Sequence, residues 1–255
     1  MNILAIGGCH TGNYGVQAHL SFARQWAIHL ETAAQEPVQL HCLSMVKLEH
    51  IDSLICQYRA DMQAADLIVL QLGHYELSWR QPFSTLFSSR ALAPTKDASV
   101  YKSSAMPKPH LGPEKIHKAA HLSRRCVWRD GAKTAMLQAY QLLYKEVPYL
   151  ATFRQQLGDA FTQLAPFRDK IIVLTPFPTL NKVDYWLRCQ CHSFIVDSAI
   201  ERSFTVADTF DAIPKHPAFF QADGVHLNSL GHMVLALFLS ELPCVVDLHR
   251  DLVSV

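Results

Sequence analysis

Three short, wholly apolar runs govern what this chain can fold into. They are "ILAI" at 3–6, the run within "DLIVLQLG" at 66–73 and the run within "KIIVLTPFP" at 170–178, and each leads into glycine or proline. A strand with one wet face alternates apolar and polar residues. An unbroken apolar run is instead buried on both faces, as central parallel strands are. Parallel strands need long crossovers, and the segments between the runs carry helical spacing. Val16, Leu20, Ala23, Ala27 and Leu30 fall on one helical face. Val147, Leu150, Phe153, Leu157, Phe161 and Leu164 fall on another. Residues 183–201 read as helical, and "NSLGHMVLALFLSEL" reads as a closing helix with Asn228 or Ser229 as its N-cap. "VQLHCLS" and "FTVADTF" supply two further strands. The expectation is one α/β domain over residues 1–255, a three-layer open parallel sheet with helices on both faces, flavodoxin-like in plan.

Residues 80–133 break the pattern. "APTKDASVYKSSAMPKPHLGPEK" is rich in proline and polar residues, and it reads as an insertion over the sheet's edge or mouth, a lid. From Lys96 to Lys133 there are nine basic and three acidic residues, against a net charge of +1 for the whole chain. A basic lid favours an anionic substrate, and a solvated helix face is the plainer alternative. Aromatic residues there are few (Tyr101, Trp128), so nucleic-acid stacking is not expected. Seven cysteines at irregular spacing predict free thiols in a reducing compartment. "MNILAIGG" has no basic n-region, and no apolar run approaches about 20 residues, so neither a signal peptide nor a membrane span is expected. Together these features predict a cytoplasmic protein.

In open α/β sheets ligands bind at the carboxyl ends of the strands. Gly7-Gly8-Cys9-His10 and Gly73-His74-Tyr75-Glu76 follow two of the apolar runs, and "ADGVHLNSLGH" precedes the last helix. The i, i+3 spacing of Asp223 and His226 brings a carboxylate onto an imidazole, fixing its tautomer and leaving the other ring nitrogen to take a proton.

At these three places the chain resembles the SGNH, or GDSL, hydrolase family. "ILAIGGCHT" is similar to the family's Gly-Asp-Ser-Leu block, with Cys9 at the serine position and Gly8 at the aspartate. "VLQLGHYE" is similar to its Gly-x-Asn-Asp/Glu block, with Tyr75 at the asparagine. "DGVHLNSLGHMVLA" is close to its Asp-x-x-His block. The resemblance implies a catalytic Cys9, His226 and Asp223. It implies an ester, thioester or acylated carbohydrate as substrate, an acyl-enzyme, and hydrolysis or acyl transfer without a cofactor. The family's second block donates a glycine amide, yet no glycine stands between Gly15 and Gly73; Ser44 is the nearest positional substitute. Gly8, His10, Ser44, Gly73, His74 and Tyr75 are therefore the candidates for binding substrate and its oxyanion. A catalytically inactive binding module for a carbohydrate or other anionic ligand is the competing reading, since the oxyanion hole is altered.

A thiol on a strand-to-helix turn faces a helix N-terminus, and such settings lower its pKa from about 8.5 to roughly 3.5–7.5. Adjacent residues point apart, which predicts a surface position for His10, with a second base or a gate as the alternative. No metal site is expected. Cys189 and Cys191 do not share a helix face, and His117 and His121, spaced i, i+4, lack the glutamate of a metalloprotease motif. A metal site at Cys9, His10 and His226 is the least favoured option.

Overall fold

In a computed structural model, which describes residues 1–78, 83–87 and 124–242, the three apolar runs form the middle of one sheet. They are β1 (Asn2–Ile6), β3 (Leu67–Leu70) and β4 (Ile171–Leu174). β2 (Gln39–Leu43) and β5 (Thr205–Ala207) form the edges, so the order is β2-β1-β3-β4-β5, all parallel. β3 and β4 are buried along their whole length, whereas β2 exposes most of its residues, as an edge strand does.

Period two then divides the core. Leu4, Ile6, Ile68, Leu70, Ile171 and Val173 face one way, onto α2 (Ile51–Ala64), α4 (Pro148–Leu164) and α5 (Lys182–Glu201). Ile3, Ala5, Leu67, Val69, Ile172 and Leu174 face the other way, onto α1 (Phe22–Ala34) and α7 (Ser229–Ser240). α3 (Arg124–Tyr144) packs on α5, and the short α6 (Thr209–Ala212) follows β5. This is the expected three-layer α/β sheet. None of the described helices is long and apolar enough to cross a membrane.

Two expectations need correcting. The first helix does not reach back to Val16 and Leu20: residues 8–16 run through turns, and α1 begins at Phe22, capped by the Ser21 hydroxyl accepting from the Arg24 amide at 3.3 Å. β1 therefore does not lead directly into a helix at Cys9, and the expected N-terminal dipole beside the thiol is not supplied by α1. The segment 51–64, not singled out in the sequence, forms a full crossover helix with Ile51, Leu54, Ile55, Tyr58 and Met62 buried. The expected insertion at 80–133 lies outside the described residues except for a 3₁₀ turn at Phe83–Phe87 and the start of α3; His117 and His121 lie outside them altogether.

Candidate active site

Three strand ends deliver the candidate residues. β1 runs into Gly7-Gly8-Cys9, β2 into Ser44 and Met45, and β3 into Gly73-His74-Tyr75. Gly8 is a fitted position. A Cβ there would stand 3.1 Å from the Cβ of His74, so the small residue lets the two strand-end loops meet. Gly73 turns its loop at φ +85°, where a side chain would meet the ring of Phe153. Glu76 anchors the same loop: its Oε1 accepts from the Leu48 amide at 2.8 Å, and its carbonyl accepts from the hydroxyl of Tyr149. Burial raises the Glu76 pKa against these backbone bonds.

The fourth contributor is the turn before α7. Gln221 docks it: its side-chain amide donates to the Tyr14 carbonyl at 3.0 Å and the Leu227 carbonyl at 2.9 Å, and its backbone amide donates to the His226 carbonyl at 2.7 Å. Gly15 makes room for it. At φ +76° it sits in the left-handed region, and any Cβ would fall within 2.6 Å of the Gln221 amide group. His10 adds a second tie, its Nε2 accepting from the Leu227 amide at 3.2 Å. Thus His10 and Tyr14, just after Cys9, clamp the chain on either side of His226, across up to 217 positions of sequence.

Within this clamp, His226 Nδ1 lies 2.5 Å from Asp223 Oδ2, while the other carboxylate oxygen accepts from the Val225 and His226 amides at 2.9 and 3.0 Å. Burial alone would raise the Asp223 pKa, but the hydrogen bond and charge of His226 with the two amides hold it down to about 2. An ionised Asp223 requires the proton of that bond to sit on Nδ1. The imidazole also makes a side-chain hydrogen bond with Cys9, which falls to Nε2 because Nδ1 is engaged. Burial acts to lower the His226 pKa; its bonds to Asp223 and Cys9 outweigh that and leave it raised. The ring of Tyr14 covers His226 at 4.4 Å between centroids.

Cys9 is 8% exposed, and its sulfur is 2.9 Å from the hydroxyl of Tyr75 and 3.9 Å from the sulfur of Met45. The Tyr75 hydroxyl also donates to Met45 at 2.6 Å. Tyr75 thus reaches the thiol of Cys9 with its phenol hydroxyl. Ser44 packs its side chain on Gly12, and its neighbour Met45 is the residue that reaches the thiol.

Behind the thiol lies a set of buried groups, of which the sequence singled out His10 and His74 but not His232 and Arg188. His10 is 1% exposed, so it is not a surface residue; its ring packs 4.9 Å from His74, 5.1 Å from Phe177 and 5.5 Å from His226. Burial, followed by the neighbouring His74, His226, His232 and Arg188, holds His10 neutral well below the usual histidine range. Burial, Arg188 and His226 do the same to His74. His232 on α7 accepts from the Phe22 amide at 3.0 Å, and burial lowers its pKa to about 3. Arg188 on α5 is fully buried, donating through Nη1 to the carbonyl of Phe177 at 2.5 Å. Burial lowers its pKa, opposed by the charges of Asp184 and Cys9. Arg188 had a readable signal. It lies in phase with buried Asp184, Cys191 and Ile195, so a charge falls on the apolar face. Among the described residues no group of three metal-ligating side chains comes together.

No protein-family model matches the sequence, and no curated relative matches it. Solved structures do. A lipase/acylhydrolase from Enterococcus faecalis is similar over 98% of this chain and 96% of its own, with TM-score 0.55 and 15% identity. Axe2, an acetylxylan esterase from Geobacillus stearothermophilus, is similar over 94% and 92%, with TM-score 0.56 and 13% identity. LAE5, an alpha/beta hydrolase enzyme from the metagenome of Lake Arreo, Spain, is similar over 94% and 93%, with TM-score 0.53 and 15% identity. The fold of this chain is therefore the parallel α/β sheet shared with the lipase/acylhydrolase and the acetylxylan esterase, along nearly its full length.

Proposed function

We propose that the chain is an acyl hydrolase or acyltransferase that works on an ester or thioester through Cys9, His226 and Asp223. The observation that carries this reading is the placement of His226, bonded to Asp223 on one nitrogen and to Cys9 on the other. Asp223 holds the ring and stabilises its cation. His226 Nε2 takes the thiol proton, and the thiolate attacks the substrate carbonyl carbon, pushing the π electrons onto oxygen. The Tyr75 hydroxyl, at 2.9 Å from the sulfur, is placed to donate to that oxygen. When the carbon–oxygen double bond reforms, the leaving alkoxide or thiolate departs with the proton from His226. Water, or an acceptor hydroxyl, then releases the acyl group from Cys9 by the same steps in reverse roles. All of these groups belong to the same single domain, and no cofactor enters the scheme. A small-molecule or carbohydrate ester is the substrate class to test first, because one structure it resembles is an acetylxylan esterase.

The test is iodoacetamide labelling of Cys9 across pH beside turnover of short p-nitrophenyl esters and thioesters. The reading predicts selective labelling of Cys9 with its midpoint well below the free-thiol value of about 8.5, and turnover that is lost in Cys9→Ala. Labelling no faster than free cysteine, with no turnover, supports a binding module instead.

A further inference from the structure

The buried groups behind Cys9 are unbalanced in one direction. Arg188 is 0% exposed, and its Nε and Nη2 have no hydrogen-bond partner. These two nitrogens are the parallel edge of the guanidinium, the fork that grips a carboxylate with two bonds. His10 accepts through Nε2, so its proton sits on Nδ1, which has no partner. His74 is 7% exposed, and neither of its ring nitrogens has a partner. The unmatched groups are the two Arg188 nitrogens, the Nδ1 of His10 and both ring nitrogens of His74, so donors outnumber acceptors. Such groups are almost always satisfied in folded proteins.

The set is also contiguous with the thiol. Arg188 is bonded to the carbonyl of Phe177, whose ring lies 5.1 Å from both His10 and His74. His10 follows Cys9 in sequence, and His74 precedes Tyr75, whose hydroxyl touches the Cys9 sulfur. Both histidines are held neutral, so Arg188 is the one formal cation among these four residues. Asp184, buried one turn before Arg188, opposes the burial of that charge, and the Nε–Nη2 edge still has no partner. The three flat rings suit a planar anion better than a tetrahedral one.

We propose that the Nε–Nη2 edge of Arg188, with His10 and His74 beside it, is a subsite for the carboxylate of a dicarboxylic acyl group. The substrate is then a half-ester or half-thioester: one end is attacked at Cys9 and the far carboxylate is gripped by Arg188. This deepens the acyl-transfer reading and rests on it for the role of Cys9, while the anion subsite itself stands on the unpartnered buried groups alone.

The experiment is calorimetric titration with glutarate and with butyramide, a neutral acyl compound of similar length, into the wild-type chain and Cys9→Ala. Glutarate is expected to bind on the order of tenfold to a hundredfold tighter than butyramide in both, and to slow alkylation of wild-type Cys9. Arg188→Met is expected to erase that preference and Arg188→Lys to weaken it, since an ammonium cannot form the fork. Circular dichroism establishes that each variant is folded. If Arg188→Met is not folded, His74→Leu, expected to weaken glutarate binding severalfold, takes its place beside the two-ligand comparison. Glutarate binding no tighter than butyramide, or a preference unchanged in the folded variants, overturns the subsite. Turnover of neutral esters without glutarate selectivity overturns the subsite and leaves the triad. Arg188-dependent glutarate binding with no ester turnover supports the subsite and overturns the triad.

Discussion

At the scale of single residues, the account turns on protons and donors. Asn at position 223 would keep the size of Asp223 but could hold His226 in the wrong tautomer. Asp223→Asn is therefore expected to lower kcat on the order of 10⁴-fold, as in the corresponding serine-protease triad, with near-native melting; steady-state ester kinetics check this. Tyr75→Phe removes one hydroxyl from beside the sulfur. Loss of one oxyanion donor predicts a fall in kcat of about 10²- to 10³-fold with little change in KM, and a KM effect alone would assign the phenol to binding. That Cys9, Asp223 and His226 meet could be read from the sequence, because they stand at a strand end and in the turn before the last helix. Arg188 was not. A charge flanked by Asp184 one turn away resembles a solvated helix face until its phase with Cys191 and Ile195 is counted. His10 was misplaced because pointing away from Cys9 leads here into the core, where it meets Leu227.

At the scale of elements, the site depends on two joints. One is the N-cap of α7. Asn228 Oδ1 accepts from the Leu230 and Gly231 amides at 3.0 and 3.1 Å, and its Nδ2 donates to the Ala218 and Phe220 carbonyls. Asn228→Ala is expected to cost about 1–2 kcal/mol in urea unfolding. The other joint is Gly15 against Gln221. Gly15→Ala strains a positive φ and drives a methyl into the Gln221 amide, so it is expected to destabilise by about 1–3 kcal/mol; slower Cys9 alkylation would report the displaced His226. β1, β3 and β4 could be read from sequence because burial on both faces leaves no polar residue to confuse the pattern. α2 escaped notice because its apolar positions are spread among charges and its backbone departs from helical at Tyr58 (φ −110°). The overextended first helix has a similar cause: Val16 and Leu20 are in phase with Ala23 by spacing, but Gly15 and the Ser21 cap place the true start at Phe22.

At the scale of the whole molecule, the sheet converts sequence separation into contact, and the cost is a core full of neutral histidines. His10, His74 and His232 have folded-state pKa values below the unfolded value of about 6.5, through burial first. The unfolded chain therefore binds more protons than the folded one as pH falls below that value. Stability is expected to drop by roughly 1.4 kcal/mol per pH unit for each such histidine, a loss that for His232 continues to about pH 3. His226 has the opposite sign: its raised pKa contributes stability below about 6.5 that is lost as pH rises through the folded value. Urea midpoints between pH 4 and 8 test this, and a profile flat below pH 6.5 contradicts it. The parallel sheet and the strand ends that carry Cys9 and Tyr75 were legible because continuous apolar runs and glycine turns encode them directly. The histidine core was not, since which imidazoles are buried depends on how the strand-end turns, α1 and α7 meet. The most direct measurement of the central claim is acid-quenched peptide mass mapping after brief exposure to an acyl thioester. The account predicts an acyl mass on the Cys9 peptide, absent in His226→Ala. An unmodified Cys9 peptide, with turnover persisting in Cys9→Ala, would contradict it.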